Sequence, residues 1–309
     1  MNSAPQNAAL EDVKNSLAGE GSPSVAVIGL GMMGRALAAA FLAGGRTTAV
    51  WNRTPGRAGE LVAAGAREAA SAEAAVRAAD LVVVCVRDYE AVHEALDAAA
   101  EAGALQGRVL VNLTSGTSQQ GRDTAEWASA QGAAYLDGAI MMTPPGIGDI
   151  NTVVLYGGAP AVYAEHAATL ALLGGGSRHL GADPGVASVY DVAMLGLMWS
   201  TFNGFLHGVA LLGADGIPAK EFLPLAKYWL GAIESFVELY AGQIDAGDFA
   251  AVDATLETQL PPIEHLVEES RARGVDTTLP EYTKAAIEAA IGRGHALDSY
   301  ARIVEHFRG

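Results

Sequence analysis

Cysteine is almost absent: Cys85 stands alone among 309 residues. No disulfide can close within such a chain, which fits a reducing cytoplasm. Cationic residues are scarce too. Nineteen Lys and Arg face thirty-five Asp and Glu, a formal net charge of −16, and no basic cluster occurs. A surface of that sign repels phosphate backbones and anionic lipid headgroups, so neither nucleic acid nor a membrane is expected as a partner. Also missing are a G-x-S-x-G nucleophile elbow and any His/Cys/Asp cluster at metal-ligand spacing, so neither a hydrolase nor a metal centre is expected. Residues 1–22 lack the basic and apolar regions of a signal peptide and read as a mobile, polar tail.

What is present is apolar: half of the residues are hydrophobic and 17% are charged. That composition forms substantial cores, and the length allows two domains. From residue 24 to about 180, short Val/Ile/Leu runs alternate with alanine-rich helical stretches. The expected strands are 24–30, 47–52, 81–86, 109–114, 134–140 and 152–158. Continuous apolar runs suggest strands covered on both faces, as in a parallel sheet. The alternation predicts an α/β, doubly wound Rossmann domain over 23–182. Strand signals then stop. Long helical patterns at 185–213, 218–242, 253–273 and 279–308 predict an all-α domain over 183–309, entered through a long interdomain helix. The run from Val186 to Leu212 approaches membrane-span length, but Asp191, Ser200, Thr201, Asn203 and His207 interrupt it, which favours a helix buried in protein.

The first expected strand runs into Gly29-Leu30-Gly31-Met32-Met33-Gly34 and then a helix. A G-x-G-x-x-G turn in that context gives a tight bend, close backbone approach and a helix N-terminus for a pyrophosphate. About twenty residues on, the second strand ends in Asn52-Arg53-Thr54, where an NAD site wants an acidic residue. Arg53, with Thr54 and Arg57 as further donors, suits a 2′-phosphate and predicts NADPH. Cys85-Val86 and Thr114-Ser115 lie at the carboxyl ends of the third and fourth strands and join the expected cofactor site. Cys85 reads as a small buried residue, not a nucleophile.

Asp191 is a carboxylate within an otherwise apolar helical run, with no Lys or Arg at helical spacing. Buried carboxylates are rare without partners. As a purely structural group it would be satisfied by Ser188, Tyr190 or nearby backbone. Met194, Leu195, Met198 and Trp199 fall on or near its helical face, where each alone is ordinary core and together they suit a hydrophobic pocket.

Five motifs in this order, GLGMMG (29–34), NRTPGRA (52–58), LTSGT (113–117), YLDGAIMMTPPGIG (135–148) and YDVAMLGLMW (190–199), resemble the NADPH-dependent imine reductases. These are relatives of the β-hydroxyacid dehydrogenases. The dehydrogenases carry a GxGxxxKxxxN pattern on the interdomain helix. Here GVASVYDVAML (185–195) puts Asp191 at the lysine's place and Leu195 at the asparagine's, which counts against hydroxyacid chemistry.

The resemblance implies reduction of C=N bonds to amines, with Asp191 as proton donor or as the anion beside an iminium ion. It adds Trp229 and Gln259 as candidate pocket residues, and a domain-swapped homodimer. The reductive aminase branch tends to have asparagine where this chain has Ser115 and tyrosine where it has Trp199. Preformed, cyclic imines are therefore the expected substrates. Two alternatives stand beside this one: a hydroxyacid dehydrogenase-like carbonyl oxidoreductase, and a non-catalytic NADPH sensor.

Overall fold

A computed structural model describes residues 24–308; the expected tail, 1–22, lies outside them. The described chain forms two compact units that divide between Gly196 and Leu197.

The first unit is built on one eight-stranded sheet. Its strands are β1 (Val25–Ile28), β2 (Thr48–Trp51), β3 (Arg67–Glu68), β4 (Leu81–Val84), β5 (Val109–Asn112), β6 (Ala134–Ile140), β7 (Val154–Gly158) and β8 (Arg178–Gly181), in the order β3-β2-β1-β4-β5-β6-β7-β8. The helices α1 (Met32–Ala43), α2 (Gly59–Ala63), α3 (Ala72–Arg77), α4 (Tyr89–Glu101), α5 (Ser118–Ala130) and α6 (Pro160–Leu170) connect them.

The unbroken apolar runs have a direct cause. Side chains alternate across a strand, and both faces of this sheet are covered. Val25, Val27, Leu81, Val83 and Val111 pack with Leu37 and Phe41 of α1 and Leu170 of α6 on one face. Ala26, Ile28, Val82, Val84 and Leu110 pack with Val76 of α3, Val92 and Leu96 of α4 and Ala128 of α5 on the other. This is the expected Rossmann arrangement, with one departure from an all-parallel sheet: β7 runs antiparallel to β6. The strands β3 and β8 had no expectation behind them. Arg-Glu and Arg-His-Leu-Gly carry little apolar signal, and the backbone pairing of β2 and β7 recruits them.

The long helix α7 (Val186–Gly213) begins in the first unit and continues through the second. It is long and apolar enough to cross a membrane by length and composition. The second unit adds α8 (Ala219–Ala246), α9 (Leu256–Ala272), α10 (Thr278–Gly292) and α11 (Val304–Arg308). Its core is Leu256, Ala286, Ile287, Ala290 and Ile303. The helix expected over 279–308 is broken. It ends at Gly292; Gly294 then turns the chain at a φ of 95°, and a short 3-10 turn at Tyr300–Ile303 leads into α11. The helix α8 outruns its expected end at 242, because its stop is Gly247 in the left-handed conformation.

Candidate active site

At the carboxyl ends of β1, β2 and β4 lies a cleft of about 480 Å³. Gly29, Gly31, Met32, Met33, Gly34, Asn52, Arg53, Thr54, Cys85 and Val86 line it, ten of the fourteen residues expected there. Two of the glycines are dictated by space. A Cβ on Gly29, which has a φ of 96°, would lie 2.3 Å from the Cys85 carbonyl oxygen. One on Gly34 would lie 1.8 Å from the Gly29 oxygen. Gly31 instead faces open space, as a turn that admits a phosphate requires.

The other four expected cofactor residues lie elsewhere. Leu30 points into the core, and its backbone N–H donates to Asn52 Oδ1 at 2.8 Å. Asn52 in turn donates to the Thr54 carbonyl, so it braces the glycine turn against the β2 loop. Arg57 is exposed outside the cleft. Thr114 is buried, where its hydroxyl accepts from the Val86 N–H at 3.2 Å. Ser115 lies near Asp191. Six lining residues stand outside the fourteen expected: Trp51, Arg87, Ala91, Glu94, Ala95 and Pro144, the last from the 135–148 motif. Glu94 bears on charge, since it meets Arg53 at 2.8 Å. Burial pushes the Cys85 thiol up to about 11, so a nucleophilic thiolate has no place at neutral pH. Among the described residues, no three His, Cys, Asp or Glu side chains are grouped to hold a metal ion.

Asp191 is buried on the second turn of α7. Burial raises its pKa, and the nearby Ser115 hydroxyl pulls it partly back; among the described residues no charged group contributes. Ser115 sits in the loop between β5 and α5. Its position is fixed by the capping box that starts α5, in which the Thr117 hydroxyl and the Gln120 side chain bond each other's backbone. The start of α7 is also pinned. Asp183 accepts from the Gly185 N–H and from Arg122, at 2.9 and 2.7 Å, and Ala187 packs on Ala139 and Leu155 of the sheet. Ser188, an expected partner of Asp191, bonds Asp137 instead, at 2.9 Å.

The expected substrate-pocket residues are distributed along the helices. Met194 and Leu195 follow Asp191 on α7 and are exposed. In the second unit, Trp199 meets Phe202 edge-on at 5.9 Å, and Gln259 lies near the Tyr240 hydroxyl. Trp229 lines an apolar groove of about 710 Å³ with Phe205, Phe222, Leu225 and Tyr228; Met198, Trp199 and Gln259 do not line it.

A family model described as "NADPH-dependent reductive aminase-like, C-terminal domain" matches residues 183–309. A second, "NAD binding domain of 6-phosphogluconate dehydrogenase", matches 24–181. An NADPH-dependent reductive aminase of Aspergillus oryzae is 37% identical over 290 residues, covering 93% of this chain and 98% of its own. The solved structure of a reductive aminase from Aspergillus terreus in complex with NADPH and ethyl levulinate superposes with a TM-score of 0.86 at 39% identity, over 92% of this chain and 99% of that one. An imine reductase from Myxococcus stipitatus in complex with NADP+ gives 0.87 at 35%, again over 92% and 99%.

Proposed function

Because the chain belongs to the family of NADPH-dependent reductive aminases and imine reductases, we propose that it acts on preformed cyclic imines and iminium ions, with Asp191 as the group that serves their nitrogen. It is an NADPH-dependent oxidoreductase that reduces C=N bonds to amines.

The residues of the cleft fit the cofactor. Open space at Gly31, the forced glycines on either side of it and the start of α1 suit a pyrophosphate. Arg53 and Thr54 would take the 2′-phosphate. When bound, NADPH supplies the hydride; the protein's share is position and charge.

The observation that carries the proposal is a buried carboxyl with a raised pKa and, among the described residues, no cation beside it. An unpaired buried carboxylate is costly, and two situations relieve that cost. A neutral Asp191 carries a proton to give to nitrogen. An ionised Asp191 is stabilised by a cationic iminium next to it. Either would promote attack on carbon, and positioned proton transfer is worth roughly 10²–10⁴-fold. The lysine that hydroxyacid dehydrogenases present at this place is absent, which disfavours carbonyl substrates. Ser115 and Trp199 favour cyclic imines over ketone–amine coupling.

The test is NADPH oxidation with 1-pyrroline, beside cyclohexanone plus an amine. Faster oxidation with the imine supports the proposal; oxidation only with the ketone and amine, or none at all despite NADPH binding, contradicts it.

The functional unit we propose is a homodimer, domain-swapped as the family resemblance implies. Leu197, Phe202, Leu206, Leu225, Tyr228, Trp229 and Val237 are exposed on α7 and α8, and large apolar side chains left open on neighbouring helices favour a partner that covers them. A monomeric mass by light scattering at micromolar concentration would contradict this. Its place is the cytoplasm, as the single cysteine suggests; fractionation of the host cell checks it.

A further inference from the structure

One buried carboxyl takes no part in the chemistry above. Asp137, on β6, is fully buried, and no cation pairs with it among the described residues. Hydroxyls satisfy it instead. Its Oδ1 accepts from Tyr135 at 2.6 Å and from Tyr89 at 2.7 Å, with the Asn112 amide at 3.4 Å. Its Oδ2 accepts from Ser188 at 2.9 Å. Desolvation pushes Asp137 up to about 6, and the four hydrogen bonds oppose the rise. An apolar side chain would fill this place on a sheet at less cost, so the carboxyl calls for another explanation.

Two of its donors lead to the Ser115–Asp191 pair. Ser188 precedes Asp191 by three residues on α7, so the two are neighbours on one helical face. Tyr89 lies directly under the loop that carries Ser115: a Cβ on Gly116 would meet its ring at 2.4 Å. One carboxyl therefore grips the turn of α7 before Asp191 and the ring on which the Ser115 loop rests.

We propose that Asp137, acting through Ser188 and Tyr89, is a positioning residue for imine reduction, holding the Asp191 carboxyl and the Ser115 hydroxyl in register. The claim rests on the assignment of Asp191 made above. It requires that loosening either contact slows hydride transfer without weakening NADPH binding, since neither Ser188 nor Tyr89 lines the cofactor cleft.

The experiment compares Ser188→Ala, Ser188→Thr and Tyr89→Phe with the wild type, in single-turnover hydride transfer at saturating NADPH and 1-pyrroline, together with the KM for NADPH and Tm. Ser188→Ala and Tyr89→Phe are each expected to slow transfer by about tenfold, a modest case of the loss that misplacement causes. The KM for NADPH should stay within about twofold, and the threonine hydroxyl should restore most of the rate. A lowered Tm with wild-type transfer in both, or a threonine variant no faster than the alanine one, would overturn the proposal. If the Ser188 variants do not fold, Tyr89→Phe decides. Asp191→Asn is measured alongside. Wild-type transfer there would remove the assignment of Asp191 itself, whereas slow transfer there with normal transfer in Ser188→Ala and Tyr89→Phe would remove only the positioning role.

Discussion

The guanidinium of Arg53 lies 2.8 Å from the carboxylate of Glu94, and both side chains line the proposed cofactor cleft. The pair is exposed, 75% and 52% of the two side chains, and pairs of that kind are worth about 0–1 kcal/mol. A 2′-phosphate, with more charge and three acceptor oxygens, would outcompete Glu94 for Arg53. Arg53→Ala should therefore raise the KM for NADPH by about tenfold or more and leave that for NADH nearly unchanged. Glu94→Gln should lower the KM for NADPH. Steady-state kinetics with both cofactors checks this, and equal effects on the two would remove Arg53 from phosphate recognition.

The glycine turn makes a sharper contrast. A methyl at position 34 collides with backbone that has nowhere to go, whereas a methyl at 31 meets nothing among the described residues. Gly34→Ala should lower Tm and abolish NADPH binding together. Gly31→Ala should keep a Tm close to wild type and lose affinity, because its methyl obstructs only the ligand. Thermal melts with and without NADPH separate the two; a wild-type dissociation constant for Gly31→Ala would contradict the placement of the pyrophosphate.

Asp137 predicts a pH dependence of stability. Its folded-state pKa is about 6, above the 3.8 of an ordinary aspartate. Below about pH 4 both states hold the proton and the contribution is whole. As pH rises from about 4 to about 6 the unfolded chain releases its proton while the folded one keeps it, so about 3 kcal/mol of stability is lost across that window. Asp137→Asn does not titrate. Its Tm relative to wild type should therefore rise between about pH 4 and about pH 6 and level off above, while the lost acceptor adds only a constant offset. A difference independent of pH would mean that the carboxyl is not desolvated.

The sheet and the glycine turn were legible in the sequence because local rules govern them. Buried parallel strands must be apolar on both sides, as the run Leu81–Val84 shows, and the turn at Gly29–Gly34 admits no other residue at two positions. The short strands at Arg67–Glu68 and Arg178–Gly181 were not legible, since backbone pairing with a neighbour specifies them and their side chains do not. The break at Gly292–Gly294 was hidden in an alanine-rich pattern that reads as helix on both sides. Asp191 stood out as a charge among apolar neighbours. Its partner did not: Ser115 lies 76 positions away, and only the fold brings that loop to α7. Asp137 was masked for the same reason, because Tyr89, Asn112 and Ser188 come from three separate elements.

The measurement that tests the central claim most directly is the turnover of 1-pyrroline by Asp191→Asn against the wild type, with NADPH oxidation followed and the KM for NADPH determined in the same series. The amide keeps the shape and the contact with Ser115 but neither gives a proton nor bears a charge. A fall in kcat of about 10²-fold or more, with the KM for NADPH within about twofold of wild type, is the predicted result. Undiminished turnover would contradict it and return Asp191 to the status of a buried structural carboxylate.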